Sequence, residues 1–125
     1  MNRSILNAAC SSVALLLFAT AAIAQCERSP LALSYQPRGQ KLYDQKVTEC
    51  KNDNGKMHGV CDNVLACNGN DSQDVLRDKI SRAQKCIDMR RDITNTWFDG
   101  NFDFGHLQQI QGRINQANNC ISMRR

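Results

Sequence analysis

The chain has 125 residues, 42% of them hydrophobic and 22% charged, with seven cysteines and a formal net charge of +4. That length sets a single domain around one modest core. The sequence contains no phosphate-binding loop, dinucleotide fingerprint, GxSxG elbow or HExxH pair, which leaves the common nucleotide-dependent, hydrolase and zinc-protease mechanisms without support and implies no cofactor.

Residues 1–24 read as a removable export signal. Arg3 supplies a positive start, residues 12–24 are almost wholly apolar, and Ala22-Ile23-Ala24 offers the small residues that signal peptidase requires. The apolar run is shorter than the ~20 residues of a spanning helix, so no stable membrane insertion is expected once it is removed. The expected location is secreted or periplasmic. Cleavage removes Cys10 and leaves Cys26, Cys50, Cys61, Cys67, Cys86 and Cys120. In an oxidising compartment an even cysteine set implies disulfides, although the sequence does not choose among the pairings. No CxxC pair is present, so a metal site is not expected.

Residues 25–39 contain both prolines and are expected to be irregular, with a helical domain over residues 40–125. Leu42, Val47 and Cys50 share a face of a helix over residues 40–51, with Asn54-Gly55 as its stop. A second, short helix is expected over residues 60–67, ended by Asn68-Gly69. Asp71 and Ser72 then cap the following helix.

An internal duplication organises the second half. The segment Cys86-Ile87-Asp88-Met89-Arg90-Arg91 recurs as Cys120-Ile121-Ser122-Met123-Arg124-Arg125. Leu76, Ile80, Ala83 and Ile87 stack on one helix face, and Ile110, Ile114, Ala117 and Ile121 repeat the pattern. Each arginine pair is expected in the last turn of its helix, where positive charge complements the dipole. Alternating β-patterned stretches are absent. The expected fold is all-α: a small disulfide-cross-linked bundle of four helices with a duplicated C-terminal helix motif. Beyond Asp103 no acidic residue follows, while Arg113, Arg124 and Arg125 do, so the last segment is either a solvated polar face or an attractor of polyanions such as RNA.

The connection between the duplicated helices, residues 93–106, holds the only tryptophan, three of the four phenylalanines, and the carboxylates Asp99 and Asp103. Such an aromatic cluster is either a core plug or a pocket wall. His106 falls at the start of the last helix, where the positive dipole end favours the neutral imidazole that serves as a general base. Asp99 or Asp103 would orient it, and His58, the other histidine, is the candidate partner acid. The commoner role for a histidine in that position is a cap or surface residue.

At these residues the chain resembles a known family. The order Cys86-Ile87, Arg90, Ile93, Phe98-Asp99-Gly100-Asn101, Asp103, Gly105-His106, Ile110 and Cys120 is similar to the pattern of the novel toxin sixteen family of bacterial polymorphic toxins. The resemblance covers roughly residues 61–120. It implies a small helical toxin domain acting on RNA, with His106 as catalytic residue, then Asp103, and Arg90 as a phosphate contact. Three readings follow. In the first, an exported ribonuclease uses His106 as general base, His58 or a lysine at the leaving oxygen, and Arg90 or Arg113 against the phosphate, without metal. In the second, a non-catalytic exported protein, an inhibitor or immunity partner, binds another protein through Trp97 and its neighbours. In the third, the chain is a structural envelope protein.

Overall fold

In the computed structural model the described residues are 25–101 and 104–125. The expected export signal, Phe102 and Asp103 lie outside them. Among the described residues the fold is all-α, with four helices and no strand. The helices are α1 (Pro30–Tyr35), α2 (Gln40–Cys61), α3 (Gln73–Trp97) and α4 (Phe104–Ser122), with a short 3-10 turn (Gln36–Arg38) between α1 and α2. Three disulfides, Cys26–Cys50, Cys61–Cys86 and Cys67–Cys120, use all six cysteines that follow the expected signal.

The segment expected to be irregular is therefore largely helical. Ser29 caps α1 by accepting from the Ala32 N–H, and Pro30 occupies the first turn, where its missing N–H costs nothing. The same Ser29 hydroxyl donates to the Trp97 carbonyl at 2.6 Å, and the Cys26–Cys50 bond ties the segment to α2. A short apolar surface around Ala32 is thereby held against the ends of two long helices.

The largest departure from expectation is α2, which runs straight through Asn54-Gly55. Val47, Cys50, Asn54, Met57 and Cys61 fall at intervals of three and four, so one stripe continues past the expected stop. Met57 is 1% exposed and Cys61 fully buried. Asn54 serves the stripe with its amide, donating to the Cys26 sulfur and to the Cys50 carbonyl, both at 3.2 Å. Burial of these groups outweighs the roughly 1 kcal/mol that a mid-helix glycine costs. A Cβ at Gly55 would meet nothing within 4 Å. Gly55→Ala is accordingly expected to raise the unfolding free energy by about 0.5–1 kcal/mol, read as an upward shift of the thermal melt; a downward shift would mean that the glycine itself is required there.

The expected helix over residues 60–67 does not form. After Cys61 the chain turns, and residues 64–68 have no regular structure. Val64 and Cys67 are buried along this stretch, and Lys79 pins it by donating to the Ala66 carbonyl at 2.9 Å and to Asp71 at 2.7 Å. An extended path lets Cys67 reach Cys120, which a continued helix would prevent. Ser72 caps α3 as expected, accepting from the Val75 N–H, but Asp71 does not. Its carboxylate takes Lys79 and the Asn68 N–H instead, and these hold it below the ordinary carboxylate range.

The duplicated stripes on α3 and α4 face the core, with one asymmetry. Leu76, Ala83 and Ile87 are buried, as are Ile110 and Ala117, whereas Ile121 is half exposed. Nor do the arginine pairs sit in last turns. Helix α3 continues through Ile93, Thr94 and Trp97, all buried, leaving Arg90 and Arg91 well inside it, while Arg124 and Arg125 lie beyond the end of α4. Apolar burial at Ile93 and Trp97 extends the helix past the point where the repeated motif ends.

Candidate functional site

Contacts in all three pairings of the long helices set their registers. The Trp97 indole N–H donates to Asp53 at 2.9 Å and Cys61 is bonded to Cys86, so α2 runs antiparallel to α3. The Arg125 N–H donates to Gln73 Oε1 at 3.0 Å, so α4 also returns antiparallel along α3. A third contact joins α4 to α2: Arg113 Nη2 donates to the Cys61 carbonyl at 2.9 Å, while Nη1 donates to Gln116. All three long helices therefore meet at the C-terminal end of α2.

The polar groups at that meeting point are Arg90 from α3, Arg113 from α4, His58 from the last turn of α2 and Asp62 just beyond it. Arg90 continues the buried stripe of Cys86 and Ile87, and it is only 5% exposed. Its Nε has no hydrogen-bond partner, and among the described residues the guanidinium has no ion-pair partner. Burial holds this guanidinium below the usual arginine value, Arg113 pushes in the same direction, and Asp62 partly offsets both. An arginine stays protonated under such pressure. The result is a buried cation without a bonded counterion. Asp62 is largely exposed and lies 3.8 Å from His58 Nδ1.

His106 occupies the first turn of α4 and is half-buried. It precedes Arg113 by seven residues, so the two share a face of α4 about two turns, roughly 10 Å, apart. The register of α2 against α3 places His58 level with Arg90. Asp103 lies outside the described residues. Asp99 adopts a left-handed conformation with φ 53°, one that aspartate tolerates, and is exposed in the turn after α3. Gly100 follows at φ 74° and donates its N–H back to the Thr94 carbonyl, a geometry that strains any other residue.

Trp97 is 3% exposed, with its N–H satisfied by Asp53, and it packs in the core with Ile93 and Cys86. It forms the floor of a groove of about 210 Å³ between α2 and α3, lined also by Asp53, Lys56, Met89, Asp92 and Thr96. No group of three or more candidate metal ligands occurs among the described residues. Asp62 and the groove carboxylate Asp53 went unnoticed in the sequence because helix α2 was expected to stop at Asn54-Gly55. Read as a continuous helix, His58 and Asp62 are an i, i+4 pair and Asp53 and Lys56 an i, i+3 pair, the signal that would have found them.

A family model described as Novel toxin 16 matches residues 36–123, more than half of the chain. The chain belongs to the Novel toxin 16 family. This Novel toxin 16 protein matches no curated protein and no solved structure. The match spans α2, α3 and α4 and so includes both histidines and the Arg90–Arg113 pair. The protein is toxin-like. No helix among its described residues is long and apolar enough to cross a membrane, and its family and disulfides are compatible with an extracellular location.

Proposed function

We propose that this protein is an exported toxin that cleaves RNA without metal. The observation that carries the reading is the Arg90–Arg113 pair: a family-level toxin domain that buries one guanidinium beside another, without a bonded counterion, is suited to a phosphate backbone. In the reaction, His106 takes the proton from a ribose 2′-hydroxyl as that oxygen attacks the adjacent phosphorus. The bond from phosphorus to the 5′-oxygen breaks, and the leaving oxygen takes a proton from His58 or a lysine. Arg90 and Arg113 steady the phosphate charge, and Asp103 orients His106.

A helix-borne base and two cations need no bound ion, so the activity should survive EDTA. Export would proceed through residues 1–24, and a cognate immunity protein is the expected partner in the producing cell. The alternative, a non-catalytic binding protein anchored by exposed aromatics, is less favoured because Trp97 is buried. The test is cleavage of total RNA in EDTA by oxidised mature protein and by its His106→Ala variant, with circular dichroism confirming both folds. A loss of at least about a hundredfold is expected. Equal cleavage by both would remove His106 from the mechanism, and no cleavage by either would remove the ribonuclease reading.

A further inference from the structure

We propose that the groove between α2 and α3 is a base pocket that selects guanine, with Asp92 accepting from its Watson–Crick edge and Lys56 donating to its carbonyl edge. The inference rests on the reading of RNA as the substrate and deepens it, but it depends neither on cleavage nor on the arginines.

The groove holds about 210 Å³, below the roughly 300 Å³ at which sites for drug-sized ligands begin, so it suits a single ring system. Its floor is apolar. Asp53 Oδ2 accepts the Trp97 indole N–H at 2.9 Å and so fixes the ring, while Ile93 and the half-buried Met89 continue the apolar surface along α3. Three charged groups stand around this floor, and none is matched to another. Asp53 and Lys56 lie three residues apart on α2 and Asp92 lines the groove from α3, yet neither Lys56 nor Asp92 has a side-chain hydrogen bond or ion pair among the described residues. Two carboxylates against one ammonium disfavour a phosphate there, so the part of a nucleotide that enters is its uncharged ring. Guanine is the base that answers both unmatched groups. Its N1–H and 2-amino group give one carboxylate two parallel donors, and its O6 and N7 accept from a lysine. Adenine and cytosine offer a carboxylate only one amino group, and uracil only one N–H. A base in single-stranded RNA is free to turn out into such a slot, where burial of its ring against Trp97 and Met89 adds to the polar contacts.

The measurement is calorimetric titration of the oxidised full chain, at low ionic strength, with the 3′-monophosphates of guanosine, inosine, adenosine and uridine. All four carry the same phosphate, so differences among them report the base. The guanosine nucleotide is expected to bind about tenfold more tightly than those of adenosine and uridine, with inosine, which lacks the 2-amino group, in between. Asp92→Asn should erase the preference for guanosine over adenosine, and Lys56→Gln should reduce it. Asp88→Asn, which removes an exposed α3 carboxylate outside the groove, should leave it intact, and thermal melts confirm that each variant is folded. Agmatine, titrated as a cationic probe, should bind more weakly than any of the nucleotides. No binding, equal binding of the four nucleotides, or a guanosine preference that survives Asp92→Asn would overturn the proposal. So would tighter binding of agmatine, which would make the groove a site for a basic side chain. Because no step is a cleavage assay, failure here would leave the His106 test unaffected. A guanosine preference in a protein that cuts no RNA would keep the base pocket and remove only the ribonuclease reading.

Discussion

Replacing Cys67 and Cys120 together by serine is expected to lower the unfolding free energy by about 4 kcal/mol, the largest effect of any disulfide in the protein. The bond joins residues 53 apart, against 24 for Cys26–Cys50 and 25 for Cys61–Cys86. If the unfolded chain loses entropy in proportion to the logarithm of loop length, the longer loop contributes roughly 0.6 kcal/mol more than either of the others. The bond also has little help. Its own cluster consists of Cys67, Leu76 and Cys120, flanked by the half-buried Ile80 and Met123, and is separate from the main core. Residues 64–68, without regular structure, depend on it and on Lys79. Denaturant titrations of the three paired serine variants check the order. A Cys67→Ser/Cys120→Ser protein as stable as the parent would show that the loop and the end of α4 are held by other contacts. Since Arg113 lies two turns before Cys120 on α4, a loosened helix end should also weaken the arginine cluster.

The second large effect concerns Arg90 and has an unusual sign. Arg90→Met is expected to raise stability by about 1–2 kcal/mol while abolishing phosphate binding. A buried charge with no bonded partner is a net liability to the fold, and an apolar side chain of similar length removes both its desolvation and its repulsion by Arg113. The neighbours Cys86 and Ile87 show that the position can accept an apolar group. If Arg90 served only the fold, its loss would lower stability. A thermal melt and a phosphate titration on the same sample distinguish the two roles. A destabilised Arg90→Met protein would count against the functional assignment, and a stabilised one that still binds phosphate would count against its place in the site. Stability given up at a binding residue is the pattern expected where function, and not folding, has selected the side chain.

The helical nature of the chain was legible because its signals were local. The stripes from Leu76 to Ile87 and from Ile110 to Ile121 are repeated in sequence, and each falls within one helix of the structure. Ser72 capped as its position implied, because capping needs only the next three residues. Boundaries failed where distant contacts outweighed local preference. Asn54-Gly55 is a sound stop signal on its own, yet Met57 and Cys61 are buried against segments remote in sequence and carry the helix onward. The same cause moved Arg90 from an expected helix end to the middle of α3.

What the sequence by itself determined was the all-α class, the duplicated motif, the family, and the identity of the cysteines and charged residues available for chemistry. The tertiary structure alone decided which cysteines pair, since pairing depends on which helices lie side by side. It also decided that Cys86 and Cys120, equivalent in the duplication, bond to Cys61 and Cys67 and not to each other. The same packing brought Arg113 of α4 to the Cys61 carbonyl at the end of α2. The physical reason is common to all of these: periodicity along a chain specifies which face of a helix is apolar, but the neighbour that face meets, and the charges carried there with it, depend on the register between helices.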